Sequence, residues 1–197
     1  MTTPSGNGVL TLSSLSLLFS EMVQYGLARV AGTGELEARL SAMGERVGSR
    51  ALDLFACRGD PEPSSSGPTL IRRTRPKNTK LLRKRPLDLV SILSFIHTNI
   101  WQGLFNHVAD RLERSTERSD EYYIYDSNVI VNRFISVPKE MGAMNCAAFV
   151  AGIIKGVLDT ADFPASVDAH FPSEEDRSTT IFVIRFAPHV VQRFQKQ

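Results

Sequence analysis

The stretch "EYYIYDSNVIVNRFISVPKEMGAMNCAAFVAGIIKGVL", residues 121–158, changes period twice. Its first part is aromatic and β-branched, with "DSN" as turn chemistry between "EYYIYD" and "NVIVNRFISV", so it reads as a hairpin. After Pro138 the apolar residues Cys146, Phe149, Val150, Ile153, Ile154, Val157 and Leu158 recur at helical spacing, which predicts a buried helix. "ASVDAHF" and "TTIFVIRF" follow as two more strands, joined by the polar "PSEEDRS".

Upstream the pattern is helical. Leu15, Leu18, Phe19, Met22, Val23, Leu27 and Val30 form one face, and "AGTG" ends that helix. Leu36, Leu40, Met43, Val47, Ala51 and Leu54 define a second. Pro86 suits the first turn of a third, whose stripe runs from Leu89 through Trp101 to Val108 and Leu112, with a bend expected near Gly103. The order is αααββαββ. Without long crossover helices between most strands, the fold class is α+β, with helices packed on one side of a small antiparallel sheet.

The chain has 197 residues, enough for one domain with a real core. We expect a disordered N-terminus over 1–11, a single domain over 12–186 with a flexible basic insertion at about 58–85, and a C-terminal tail over 187–197. Hydrophobic residues at 42% and charged ones at 22% exclude a wholly disordered or fibrous chain. The N-terminal apolar residues follow no basic region and are interrupted by serines, so no signal peptide is expected. No uncharged apolar run approaches the roughly 20 residues of a membrane span. Cys57 and Cys146 stand far apart without a CxxC pairing, which fits a reducing cytosol.

Charge is unevenly placed. "IRRTRPKNTKLLRKR", residues 71–85, carries Arg72, Arg73, Arg75, Lys77, Lys80, Arg83, Lys84 and Arg85 and no acid. These are eight of the 23 basic residues, so the remainder holds 15 against 21 acidic ones. A solvated loop is the plain reading of the strip and an anionic membrane surface the second, each Lys or Arg near such a leaflet gaining roughly 1 kcal/mol. Nucleic acid is not expected, since the strip has no aromatic platform for stacking.

Little else carries chemistry. Cys146 at a helix start is a candidate nucleophile, but it needs an oriented base, and His97, His107, His170 and His189 are the histidines available. Its phase with Phe149 and Val150 favours core packing. No HExxH, paired CxxC, EF-hand loop, Walker A or GxGxxG sequence is present, so no metal or cofactor is expected. Glu174, Glu175 and Asp176 read as solvated charges. Gly44, Gly48 and Ala51 leave a low ridge on the second helix that serves either packing within the chain or a subunit interface.

"ISVPKEMGAMNCAAFVAGIIKGVL", then "FPASVDAH" and "TTIFVIRF", resembles the C-terminal half of subunits of the transport protein particle, the TRAPP complex, within its Bet-three family. "LSSLSLLFSEMVQY", "ELEARLSAMGERVGSRALDLF" and "IWQGLFNHVADRLERS" match in order, so the resemblance spans Leu12 to about Phe186. "SVPKE" with "NCAAF" downstream is its specific part. The resemblance implies a non-catalytic scaffold of a complex that tethers vesicles between the endoplasmic reticulum and the Golgi and activates a Rab GTPase by nucleotide exchange. This places the chain in the cytoplasm, peripheral at the cis-Golgi and endoplasmic reticulum, and in contact with the GTPase only through the complex. It further implies that the first two helices pair with a Bet-three-type subunit, through Leu18, Met22, Leu40, Met43, Gly44, Val47 and Gly48, and that another face holds a sedlin-like longin subunit. The Bet-three subunit's acylated cysteine near its third helix has no counterpart in "KLLRKRPLDL", so acylation is not carried over. A small-molecule sensor related to vinyl-reductase-type domains, with a pocket near His97 or Cys146, is the alternative, and a cysteine hydrolase the third reading.

Overall fold

The computed structural model describes residues 12–57, 88–133, 135, 144–173 and 177–195. The basic strip, "SVPKE" and the acids 174–176 lie outside the described residues. Helices α1 (Leu12–Leu27) and α2 (Thr33–Cys57) are joined by a tight turn. Glu35 Oε2 accepts the Ala31 N–H at 3.1 Å, so a first-turn carboxylate reaches back to satisfy a donor at the entry to α2. Gly26, buried near the end of α1, sits on Leu36 of α2.

The third helical segment is one rod of changing pitch. α3 (Leu89–Phe95) passes into a π-helical turn, Ile96–Ile100, and then α4 (Trp101–Phe105). Thr98 Oγ1 donates to the Ser94 carbonyl at 2.7 Å, a side-chain bond that competes with the regular ladder where the turn widens. The rod stops earlier than its apolar stripe predicts. Asn106 takes a left-handed conformation (φ 61°) with its N–H on Gln102 O, a helix stop that asparagine tolerates. Val108 is consequently exposed rather than the next residue of a buried face.

That early stop changes the first hairpin. Its strands are β1 (Arg111–Arg114) and β2 (Glu121–Asp126), not "EYYIYD" with "NVIVNRFISV". Asp110 Oδ2 accepts the Ser127 N–H and Asp126 Oδ1 the Asn128 N–H, and these bonds turn the chain off the sheet. Ile130–Arg133 is then a helical turn, α5, held where Asn132 Nδ2 meets Asn145 Oδ1 and Thr180 Oγ1. Both sides of β2 are already taken, by β1 and by β4, so the β-branched run cannot pair with β2 as a hairpin.

α6 (Ala148–Thr160) leads to β3 (Ala165–His170) and β4 (Thr180–Phe186), both where the alternation places them. The sheet order is β1-β2-β4-β3, antiparallel throughout. Ile124, Phe182, Ile184 and Phe186 of the inner face join the helices in one core. Residues expected as a tail instead form α7 (Pro188–Gln195): Val190 is fully buried, and Phe194 stacks on Phe163 with centroids 5.7 Å apart.

α2 and α6 run parallel in close approach. A Cβ added at Gly44 would overlap the Phe149 carbonyl, and one at Gly48 that of Ile153. Reciprocally, one at Gly152 would overlap the Ser41 carbonyl and one at Gly156 that of Glu45. Four glycines thus interleave two backbones, with Lys155 Nζ bridging to Glu45 beside them.

A second buried device joins the rod to the sheet. Asp126, 1% exposed, accepts from Trp101 Nε1 at 2.8 Å and lies 3.1 Å from His107 Nε2. Trp101 is itself fully buried, edge-on to Phe105 and Phe182.

Candidate partner-binding surface

An amphipathic helix in a single domain ordinarily shows one apolar stripe, facing the core. α1 and α2 each show two. On α1, Phe19, Val23 and Gly26 are buried, while Leu18 (56% exposed) and Tyr25 (54%) stand one and two turns apart with half-buried Met22 between them. Leu17 is more exposed still. On α2 the buried stripe is Leu36, Leu40, Gly44, Gly48 and Ala51. The second stripe is half-buried Met43 with exposed Val47 and Leu54, at steps of four and seven. Apolar residues at regular spacing on the solvent side of two neighbouring helices mark an interaction surface more specifically than scattered ones would.

The seven residues assigned from the resemblance therefore separate. Leu18 and Val47 are exposed, and Met22 and Met43 are half-buried. Leu40, Gly44 and Gly48 are corrected: Leu40 is fully buried, and α6 covers both glycines, which have no surface left for a second subunit. Leu17, Tyr25 and Leu54 were missed, although Tyr25 follows Met22 by three and Leu54 follows Val47 by seven, a stripe legible once the core stripe is removed. The eight basic residues of 71–85 lie outside the described residues.

Cys146 is 2% exposed, and burial, with the Glu37 carboxylate adding to it, pushes its thiol up to about 11. A thiolate nucleophile needs the opposite surroundings. His107 has its Nε2 on Asp126 and its Nδ1 3.2 Å from the Phe105 carbonyl, while burial pulls the His97 pKa down. His170 lies exposed at the end of β3 and His189 on α7. Among the described residues no group of acids, histidines and cysteines could hold a metal. A cleft lies between α2 and β3, lined by Asn145 and Ala148 on either side of Cys146 in sequence, while Cys146 and His97 themselves do not line it. In a Cys57→Ser background, Cys146 should resist alkylation by iodoacetamide at mildly alkaline pH until urea unfolds the chain; rapid labelling of folded protein would contradict this burial.

Comparison with known proteins gives the family and the fold. Residues 15–187 match the family described as "Transport protein particle (TRAPP) component". A trafficking protein particle complex subunit 5 of Dictyostelium discoideum is 45% identical over 95% of this chain and 91% of the relative. The protein of that name from Homo sapiens is 36% identical over 93% and 84%. Trafficking protein particle complex subunit 31 of Saccharomyces cerevisiae is 32% identical over 93% and 78%. In fold, the chain is similar to a trafficking protein particle complex subunit 3 from Naegleria fowleri, covalently bound to palmitic acid, with TM-score 0.69 at 15% identity over 89% of this chain and 95% of that one. A chain of these motifs, matched along nearly all of its length, belongs to the TRAPP component family.

Proposed function

We propose that this chain is a non-catalytic core subunit of a TRAPP complex, and that the outward stripes of α1 and α2 seat a Bet-three-type subunit. The observation that carries the reading is the second apolar stripe on each of these helices, Leu18 and Tyr25 on one, Val47 and Leu54 on the other. Burying such side chains contributes roughly 1.5–3 kcal/mol each, enough for a few of them to set an interface. Another face holds a sedlin-like longin subunit. The assembled particle supports nucleotide exchange on a Rab GTPase and tethers vesicles in transport between the endoplasmic reticulum and the Golgi. The chain acts from the cytoplasm, peripheral to those membranes, and the basic strip 71–85 supplies contact with anionic lipid. The relatives' names support the assembly, and the buried, thiol-protonated Cys146 supports the absence of catalysis.

Coexpression with a Bet-three-type subunit tests this. A stable complex should elute on gel filtration, and Leu18→Glu with Val47→Glu should weaken it by about a hundredfold or more, while circular dichroism of the isolated chain stays unchanged. A chain that remains monomeric beside that subunit, or a double variant that binds as before, would overturn the proposal.

A further inference from the structure

Among the described residues, the β3 edge of the sheet is unpaired where a cleft separates it from α2. The Ala187 N–H donates to Pro164 O at 3.0 Å, just beyond the β3–β4 ladder, so this pair is hydrogen-bonded. Alternation then turns the backbone groups of Ser166, Asp168 and His170 toward β4, and those of Ala165, Val167 and Ala169 away from it. β3 is the last strand of the sheet, and no described strand pairs with its outer side. The Asp159 carboxylate lies near enough to the Ala165 backbone for that N–H to help hold its charge. Val167 and Ala169 instead line a cleft of about 610 Å³, shared with Glu37 and Ala38 of α2 and with Ala148 and Ala151 of α6.

Asn145 lines the same cleft and is 3% exposed. Its Oδ1 accepts from Asn132 Nδ2 and the Ala147 N–H, yet its Nδ2 is buried without a hydrogen-bond partner. A buried orphan donor costs about 1–3 kcal/mol, a local weakness in the wall of the cleft. Charge in the cleft is mixed: Glu37 contributes a carboxylate, one of whose oxygens takes the Asn145 N–H, and Arg177 contributes a guanidinium.

We propose that the cleft takes an extended segment of a partner subunit, added to β3 as a further strand. Polypeptide backbone is the ligand that fits these groups together. Its carbonyls supply acceptors for the outward N–H groups of Val167 and Ala169, and its own N–H groups meet the outward carbonyls. The alanines admit apolar side chains, and Glu37, Asp168 and Arg177 along the lining favour a segment of mixed charge. An acyl chain would leave the outward N–H groups and carbonyls of Val167 and Ala169 unpaired, and a simple anion would meet Glu37.

The inference rests on the reading that the chain is a complex subunit, so the test uses the assembled complex. Ala38, exposed on the α2 side of the cleft, is replaced by p-benzoylphenylalanine, the complex is irradiated, and the crosslinked peptides are identified by mass spectrometry. The expected product joins position 38 to one contiguous segment of another subunit. Ala169→Pro should lower its yield about tenfold or more, because it removes an outward N–H and no ladder bond, a place where an edge strand accepts proline. Asp168→Pro, which removes a ladder bond, should instead lower the melting temperature. A complex that assembles but crosslinks from position 38 only to this same chain, or whose crosslink Ala169→Pro leaves unchanged, overturns the added strand and spares the subunit reading. Absence of any complex removes both.

Discussion

Gly152→Val is expected to leave little folded protein under mild denaturant, lowering stability by about 3 kcal/mol or more, a large share of the 5–15 kcal/mol typical of a domain. The new Cβ would fall on the Ser41 carbonyl, with the Ser41 Cα 2.8 Å away. Both are backbone, so no rotamer change relieves the overlap, and α2 must move as a body. Even Gly44→Ala or Gly48→Ala should destabilise. In an exposed helix interior the same change would stabilise by up to about 1 kcal/mol through helix propensity, so a reversed sign is the diagnostic. Gly34→Ala, in the first turn of α2 with nothing within 4 Å of the added atom, is the control and should be neutral or stabilising. Urea unfolding midpoints settle the matter: Gly44→Ala and Gly48→Ala both behaving like the control would disprove the interleaved seam.

The second large effect is expected from Asp126→Ala, about 3 kcal/mol. Removing this carboxylate strands Trp101 Nε1 in a site with no exposure and takes the acceptor from the Asn128 N–H that begins the turn after β2. Trp101 is the chain's single tryptophan, so its fluorescence reports on the site directly. A red-shifted emission and a lower urea midpoint are expected together. Asp126→Asn keeps one acceptor oxygen and should lose less. If Asp126→Ala left both emission and midpoint at their original values, the buried network would hold nothing together.

The elements with strong, self-contained periodicity were legible in the sequence: α1, α2, α6 and strands β2, β3 and β4. β1 was not, because "RLER" shows no alternation and is a strand by virtue of β2 beside it. "NVIVNRFISV" opens on β-branched residues but finds both sides of β2 taken, and the bonds from Ser127 to Asp110 and from Asn128 to Asp126 turn its described start off the sheet. The end of the third helical rod depended on one residue, Asn106, whose left-handed conformation interrupts an apolar stripe that otherwise continues.

For the candidate surface, the sequence holds both stripes of α2 without saying which looks outward. Leu40 and Val47 have equal claims until α6 is placed, and the glycine ridge reads equally as packing within the chain or between chains. Placement of α6 settles the ridge as internal and leaves Val47 and Leu54 facing solvent. The cleft beside β3 was out of reach, because it depends on which strand ends the sheet, and strand order is set by contacts far apart in the chain.

The interleaved glycines also bear on how fast a partner can be met. With Gly152 and Gly156 opposite Ser41 and Glu45, slipping the helices by one turn would bring Ala148 or Thr160 against an α2 carbonyl. The pair therefore has one registry, and the solvent side of α2 is held in a single pose relative to the sheet before any encounter. Association of the proposed partner at Val47 and Leu54 is then expected to follow single-phase kinetics with a rate proportional to partner concentration, without a slow rearrangement that would make it level off.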